Sequence, residues 1–192
     1  TVTDNVGCNG NDNLSITVDP LPTVTSAASV CVNSNITLTP TAGGTWISND
    51  PSVATITNGG VVTGVAAGST TFTFTNTTTN CSNTTNSVTV NPLPTATASN
   101  NGPVCIGASL SLTGGTTGLS YSWSGPNTFS NATQSPTVSA SATAAMAGVY
   151  TITATDGNSC SATATTTVTL NPLPTATASN NGPVCVGDAL SL

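Results

Sequence analysis

The side chains in this chain best suited to chemistry beyond neutral hydrogen bonding are those of cysteine and aspartate. The cysteines fall at Cys8, Cys31, Cys81, Cys105, Cys160 and Cys185, with gaps of 23, 50, 24, 55 and 25 residues. None forms a Cys-x-x-Cys, so the spacing argues against zinc and thioredoxin-like chemistry. The carboxylates are Asp4, Asp12, Asp19, Asp50, Asp156 and Asp188, and the chain has no Lys, Arg, His or Glu. No cation or His is present to activate a thiolate. No Ser-His-Asp triad, Schiff base or His-based metal site can be assembled. Structural disulfides in an oxidising compartment are the economical reading of the six cysteines, with buried free thiols as the alternative.

Charge narrows the partners. With a formal net charge of −6 and no cation, nothing can neutralise phosphate, so neither nucleic acid nor an anionic membrane surface is an expected partner. No run of 18 apolar residues is present, so no membrane insertion is expected. Calcium at a junction is a weak candidate: Asp19 has Asn91 and Asn171 as its counterparts, and Asp156-Gly157-Asn158 reads more simply as a hairpin turn. The expectation is a non-enzymatic protein without a cofactor.

The elements that must hold these cysteines are strands. Thr, Ser and Asn number 41, 23 and 21. Branched Thr and Val fit a pleated surface, and Asn, Gly and Pro supply turns. Apolar residues alternate with polar ones around Ile36 and Leu38, Phe72 and Phe74, Val88 and Val90, Leu110 and Leu112, Tyr150 and Ile152, and Val168 and Leu170. A period of two buries one face and wets the other, as in an antiparallel sandwich. Gly43-Gly44, Asn58-Gly59, Gly114-Gly115 and Asp156-Gly157 mark turns between strands. Hydrophobic content of 36% suits several small cores better than one large one. Six or seven short strands per repeat at this spacing suggest an immunoglobulin-like sandwich, with Trp46, Trp123 and Tyr150 as core aromatics.

The strands recur. Pro-Leu-Pro-Thr begins at Pro20, Pro92 and Pro172, and Asn91 to Cys105 is identical to Asn171 to Cys185. The expected organisation is the end of one repeat at 1–19, whole domains at 20–91 and 92–171, and the start of another at 172–192. The fold class is therefore all-β: tandem immunoglobulin-like β-sandwich domains arranged as beads on a rod.

Trp46-Ile47-Ser48-Asn49-Asp50-Pro51-Ser52-Val53-Ala54-Thr55-Ile56, followed by Gly60-Val61-Val62-Thr63-Gly64-Val65-Ala66-Ala67-Gly68, resembles the group 2 bacterial immunoglobulin-like domain. Tyr121-Ser122-Trp123-Ser124-Gly125-Pro126, with Gly148 to Asp156, is similar to the Ig-like and PKD-like modules of giant surface adhesins or filaments of gliding, type IX-secreting bacteria. The resemblance implies an extracellular or cell-surface stalk or filament shaft and brings no catalytic residue. Its expected partners are copies of itself or further repeats, with cell-surface or glycan contact through regions outside this window. The competing reading is a carbohydrate-binding accessory module of a secreted hydrolase, which needs Trp46 or Trp123 exposed.

Strand order bears on the cysteine pairing. Cys31 and Cys105 follow the first strand of their repeats, whereas Cys81 and Cys160 precede the last. The strand from Cys160 to Leu170 puts these poles on the order of 30 Å apart, beyond the roughly 7 Å reach of a disulfide. Pairing across the junction, Cys31 with Cys160, is favoured. Pairing within each repeat, Cys31 with Cys81 and Cys105 with Cys160, and pairing across the short gaps remain open.

Overall fold

In the computed structural model the chain divides into two units, Thr1–Pro92 and Leu93–Leu192. Residues 2–3, 5–6, 9–10, 16–25, 27–115 and 119–192 are described. Cys8, Asp4 and Asp12 lie outside the described residues, as does much of segment 1–19. Apart from a 3-10 turn at Ala144–Met146, every regular element among the described residues is a strand.

Near the amino terminus β1 (Val2–Thr3) and β2 (Asn9–Gly10) pair antiparallel. Nine strands then build the first unit: β3 (Ser29–Cys31), β4 (Asn35–Thr37), β5 (Gly44–Ser48), β6 (Ala54–Ile56), β7 (Val61–Gly64), β8 (Gly68–Thr70), β9 (Phe72–Asn76), β10 (Ser82–Thr84) and β11 (Val88–Asn91). They form three sheets, ordered β10-β9-β5, β3-β11-β8 and β4-β7-β6. The alternation in β9 explains its place. Phe72 and Phe74 are buried, while Thr73 and Thr75 point outward and share hydroxyl hydrogen bonds with Thr84 at 2.9 Å and Ser82 at 2.8 Å. Trp46 on β5 lies opposite Phe74 in register, their rings 5.1 Å apart. Val30, Leu38, Ala54, Val62, Val88 and Val90 complete this core.

The second unit contains β12 (Ala98–Asn100), β13 (Val104–Cys105), β14 (Leu110–Gly114), β15 (Ser120–Gly125), β16 (Phe129–Asn131), β17 (Thr137–Ser139), β18 (Gly148–Thr155), β19 (Ser161–Val168) and β20 (Leu170–Asn171). A four-stranded sheet, β16-β15-β18-β19, is accompanied by β12-β14-β17 and by the pair β13-β20. Leu110, Leu112, Trp123, Tyr150, Ile152 and Val168 form its core. Each such side chain contributes about 1.5–3 kcal/mol when fully buried, which offsets part of the conformational entropy of ordering so polar a chain.

Each unit has more and shorter strands than the expected six or seven, in part because its last strand changes partners part-way. In unit 1, β10 pairs with β9, but after Thr85 the chain turns to β8 and β3 as β11. In unit 2, β19 pairs with β18 as far as Val168, and β20 then pairs with β13. The β3–β11 and β13–β20 pairs are parallel, a departure from a wholly antiparallel sandwich.

Candidate functional site

Each sandwich, 20–91 and 92–171, carries one cysteine at either end. In unit 1, the parallel β3–β11 register sets Cys31 beside Asn91, the last residue before Pro92. The chain leaves β3 through a tight turn: Val32 N–H donates to Asn91 O at 3.0 Å, and Ser34 N–H donates to Cys31 O at 3.0 Å. Asn33 takes a left-handed conformation there, with φ of 62°, one that Asn tolerates better than most residues. Gly64 lies under this turn, and a Cβ on it would sit 2.6 Å from Cys31 O. Only glycine lets β7 approach so closely.

Unit 2 repeats the arrangement. Cys105 on β13 lies opposite Asn171, Ile106 N–H donates to Asn171 O at 2.9 Å, and Ala108 N–H donates to Cys105 O at 3.0 Å. Gly107 holds the left-handed position, with φ of 91°. Cys31 and Cys105 therefore mark the downstream pole of each unit, where the Pro-Leu-Pro linker departs.

The other two cysteines mark the upstream pole, where the preceding linker arrives. Cys81 Sγ lies 4.0 Å from Asp19 O, and Asn83 Nδ2 donates to Pro22 O at 2.9 Å, so the turn before β10 rests on the incoming Pro20-Leu21-Pro22 segment. In unit 2, Gly115 N–H donates to Thr97 O at 3.1 Å, and Ser120 faces Thr155. That places the β18–β19 turn carrying Cys160 at the end where Leu93–Thr97 enters.

The two turns are built alike. Asn76 N–H donates to Cys81 O, and Asp156 N–H donates to Cys160 O, both at 3.0 Å. Asn76 Oδ1 accepts from Thr78 and Thr79 N–H, and Asp156 Oδ1 accepts from Asn158 and Cys160 N–H. A left-handed residue, Asn80 or Ser159, precedes each cysteine. Sequence reasoning weighed Asp156 as a calcium or hairpin residue and missed its part in presenting Cys160. The signal was an Asn or Asp four or five residues before a cysteine. Among the described residues no group of three Cys or Asp side chains gathers to hold a metal ion.

Oxidation distinguishes the poles. Cys31 and Cys160 are disulfide-bonded, whereas Cys81, Cys105 and Cys185 are free thiols. The expectation that all six cysteines form disulfides is thus corrected at these three. Pairing within either repeat is corrected too, since Cys31–Cys81 needs the free Cys81 and Cys105–Cys160 the free Cys105. The physical reason is separation. Ser82–Asn91 runs from one end of unit 1 to the other, and Ser161–Asn171 does so in unit 2, a span of roughly 30 Å at the strand rise.

The aromatics are in the cores. Trp46 is 4% exposed and Trp123 is 0% exposed. Their indole Nε1–H groups donate to Pro40 O at 2.9 Å and Gln134 O at 3.3 Å. Neither ring presents a face to a sugar. Tyr150 donates its hydroxyl to Met146 O at 2.9 Å, and burial pushes its phenol above the ordinary tyrosine pKa. The exposed Asp50 is held below the usual aspartate pKa by hydrogen bonds from the Ser52 hydroxyl and the Ser52 N–H.

The alternating strands, the buried Trp and the terminal strand that changes sheets describe an Ig-like sandwich, and comparison with known proteins meets this at the first unit. Residues 14–90 match the bacterial Ig-like domain (group 2) family model. No curated protein matches the chain. Among solved structures, it is similar to the N-terminal four Ig domains of Dscam1 isoform 4.4 at 12% identity and TM-score 0.32, covering 75% of this chain and 42% of that one. Murine CEACAM1b is similar at 13% identity and TM-score 0.35, covering 75% of this chain and 96% of that one. Domains 5-6 of the S-layer protein SbsC are similar at 17% identity and TM-score 0.28, covering 77% of this chain and 95% of that one. The chain thus spans under half the length of the Dscam1 structure. Among the described residues no helix is long and apolar enough to cross a membrane.

Proposed function

We propose that this chain is a non-enzymatic, extracellular repeat segment, the stalk or filament shaft of a bacterial surface adhesin of the kind gliding, type IX-secreting bacteria carry. Its modules, 20–91 and 92–171, are joined in series, with 1–19 and 172–192 belonging to the repeats on either side. We further propose that Cys31 bonds Cys160 across the Pro92-Leu93-Pro94 linker. The observation that carries this reading is the oxidation pattern. The two bonded cysteines are the one at the pole where unit 1 ends and the one at the pole where unit 2 begins, while Cys81, Cys105 and Cys185 are free. Proline fixes φ at two of the three linker positions, so a disulfide beside it removes much of the remaining bending freedom. The side chains suit load-bearing rather than conversion of a substrate, since the chain has no His, Lys or Arg and no metal-ligand set gathers among the described residues.

The carbohydrate-module reading loses its support because Trp46 and Trp123 are buried. Lateral association of copies fits the near absence of charge, which leaves little repulsion between neighbours. The test is peptide mapping without reductant, together with electron microscopy of native material before and after reduction. A Cys31–Cys160 linked peptide and long thin fibres that become more flexible on reduction are expected. A Cys8–Cys31 peptide would overturn the staple, and compact monomers would overturn the shaft.

A further inference from the structure

We infer that Cys81 and Cys105 are unfilled halves of the same staple, each placed to bond the complementary pole cysteine of a further module of this repeat type. This rests on the Cys31–Cys160 reading.

The cysteines fall into two structural kinds. Cys31 and Cys105 each close a short strand held parallel to the strand that ends the unit, beside Asn91 and Asn171. Cys81 and Cys160 each follow an Asn- or Asp-fastened turn and are locked by the same backbone hydrogen bond at 3.0 Å. One cysteine of each kind is oxidised, and these two adjoin the linker shared by both units. The free pair adjoins the other two linkers: Cys81 lies 4.0 Å from Asp19 O before Pro20-Leu21-Pro22, and Cys105 lies opposite Asn171 before Pro172-Leu173-Pro174.

Cys81 is of the upstream kind and Cys105 of the downstream kind, so each calls for a partner of the other kind. By their places in the repeat, Cys8 is the counterpart of Cys160 and Cys185 the counterpart of Cys105. Both thiols are open to reaction, Cys105 being exposed and Cys81 half-buried. The loop that presents Cys105 is also encoded locally. Asn101 spans it with a hydrogen bond to Ser109 O at 3.0 Å, and Asn181 repeats this with Ala189 O at 2.8 Å around Cys185.

The bond forms by exchange with a small disulfide oxidant such as oxidised glutathione. The deprotonated Cys105 sulfur attacks one oxidant sulfur, releasing one thiol and leaving a mixed disulfide. The upstream-type sulfur of the adjacent module then attacks Cys105 and releases the second thiol. Two electrons and two protons pass to the oxidant, and one protein disulfide forms.

The test is mapping of native material whose free thiols are alkylated at the moment of lysis. It needs a protease other than trypsin, which has no Lys or Arg to cut at. The expected result is a Val104-Cys105-Ile106 peptide linked to a turn cysteine of the Cys81 or Cys160 kind. Linkage to the Cys81 peptide itself identifies a second copy of this chain as the adjacent module, whereas linkage to a different turn sequence identifies another repeat. Alkylated Cys81 and Cys105, or Cys105 bonded to a second downstream-type cysteine, would overturn the inference. The Cys31–Cys160 peptide is scored in the same digest, so the inference can fail while the staple within this chain stands.

Discussion

Removing the proposed Cys31–Cys160 staple has a calculable consequence. If Cys31 bonds Cys160, then with unit 1 folded, unfolding of unit 2 in the oxidised chain is confined to a closed loop of about 70 residues, from the linker to Cys160, which on chain-entropy arithmetic is worth roughly 4 kcal/mol. Unfolding of unit 1 with unit 2 folded is confined to about 60 residues, from Cys31 to the linker, and gives nearly the same figure. Cys31→Ala should therefore destabilise both units by up to about 4 kcal/mol, at roughly 4–8 °C per kcal/mol for domains this small. Reductant should do the same to the unsubstituted chain. Cys160→Ala should cost slightly more, because Cys160 is fully buried. The decisive quantity is the coupling. If the two cysteines bond each other, the double variant is no less stable than Cys160→Ala, since the second substitution removes nothing further. Cys81→Ala and Cys105→Ala, made in free thiols, should shift stability by under about 0.5 kcal/mol. The assay is calorimetry or urea unfolding of the six proteins, with and without reductant. Additive effects of Cys31→Ala and Cys160→Ala, or a loss at Cys105→Ala equal to that at Cys31→Ala, would refute the reasoning.

Three further outcomes follow from geometry within single units. Tyr150→Phe deletes the hydroxyl that donates to Met146 O at 2.9 Å in a fully buried site; it should cost unit 2 about 1–2 kcal/mol, against about 3–5 for Tyr150→Ala, and equal losses in urea melts would contradict this division between hydrogen bond and packing. Gly64→Ala puts a methyl 2.6 Å from Cys31 O and should destabilise unit 1 by about 1–3 kcal/mol while slowing disulfide re-formation after reduction, so a variant with unchanged stability and re-oxidation rate would show the close approach to be unimportant. Ser52→Ala removes the main cause of the lowered Asp50 pKa, so the Asp50 carboxyl should titrate at higher pH in the variant by NMR. Because the folded-state pKa is depressed, the Asp50 contribution is present above the ordinary aspartate pKa and is lost as pH falls through the folded value; identical midpoints in the two proteins would exclude the hydrogen bond as the cause.

Much of the architecture was legible in local pattern. Phe72 and Phe74 alternating with Thr73 and Thr75 specify a strand with one wet face, and that strand is β9. The turn signals at Asn58-Gly59 and Asp156-Gly157 fall between strands. The two kinds of cysteine were also separable, because their positions relative to the first and last strands place them at opposite poles. Each of these readings depends on neighbours within a few residues, which is the range over which side-chain alternation and turn chemistry act.

Other features depended on contacts between distant residues. Alternation names the buried face of β3 and β11 but not the strand edge each pairs with, so the parallel register of Cys31 on Asn91 could not be read from it. A tryptophan is equally suited to a core or to a sugar platform, and only the packing of Trp46 on Phe74 and the complete burial of Trp123 decided between them. All six cysteines are alike as residues. Which of them are oxidised was decided by tertiary structure, because a disulfide requires two sulfur atoms within bonding reach and spacing along a chain does not specify distance in space.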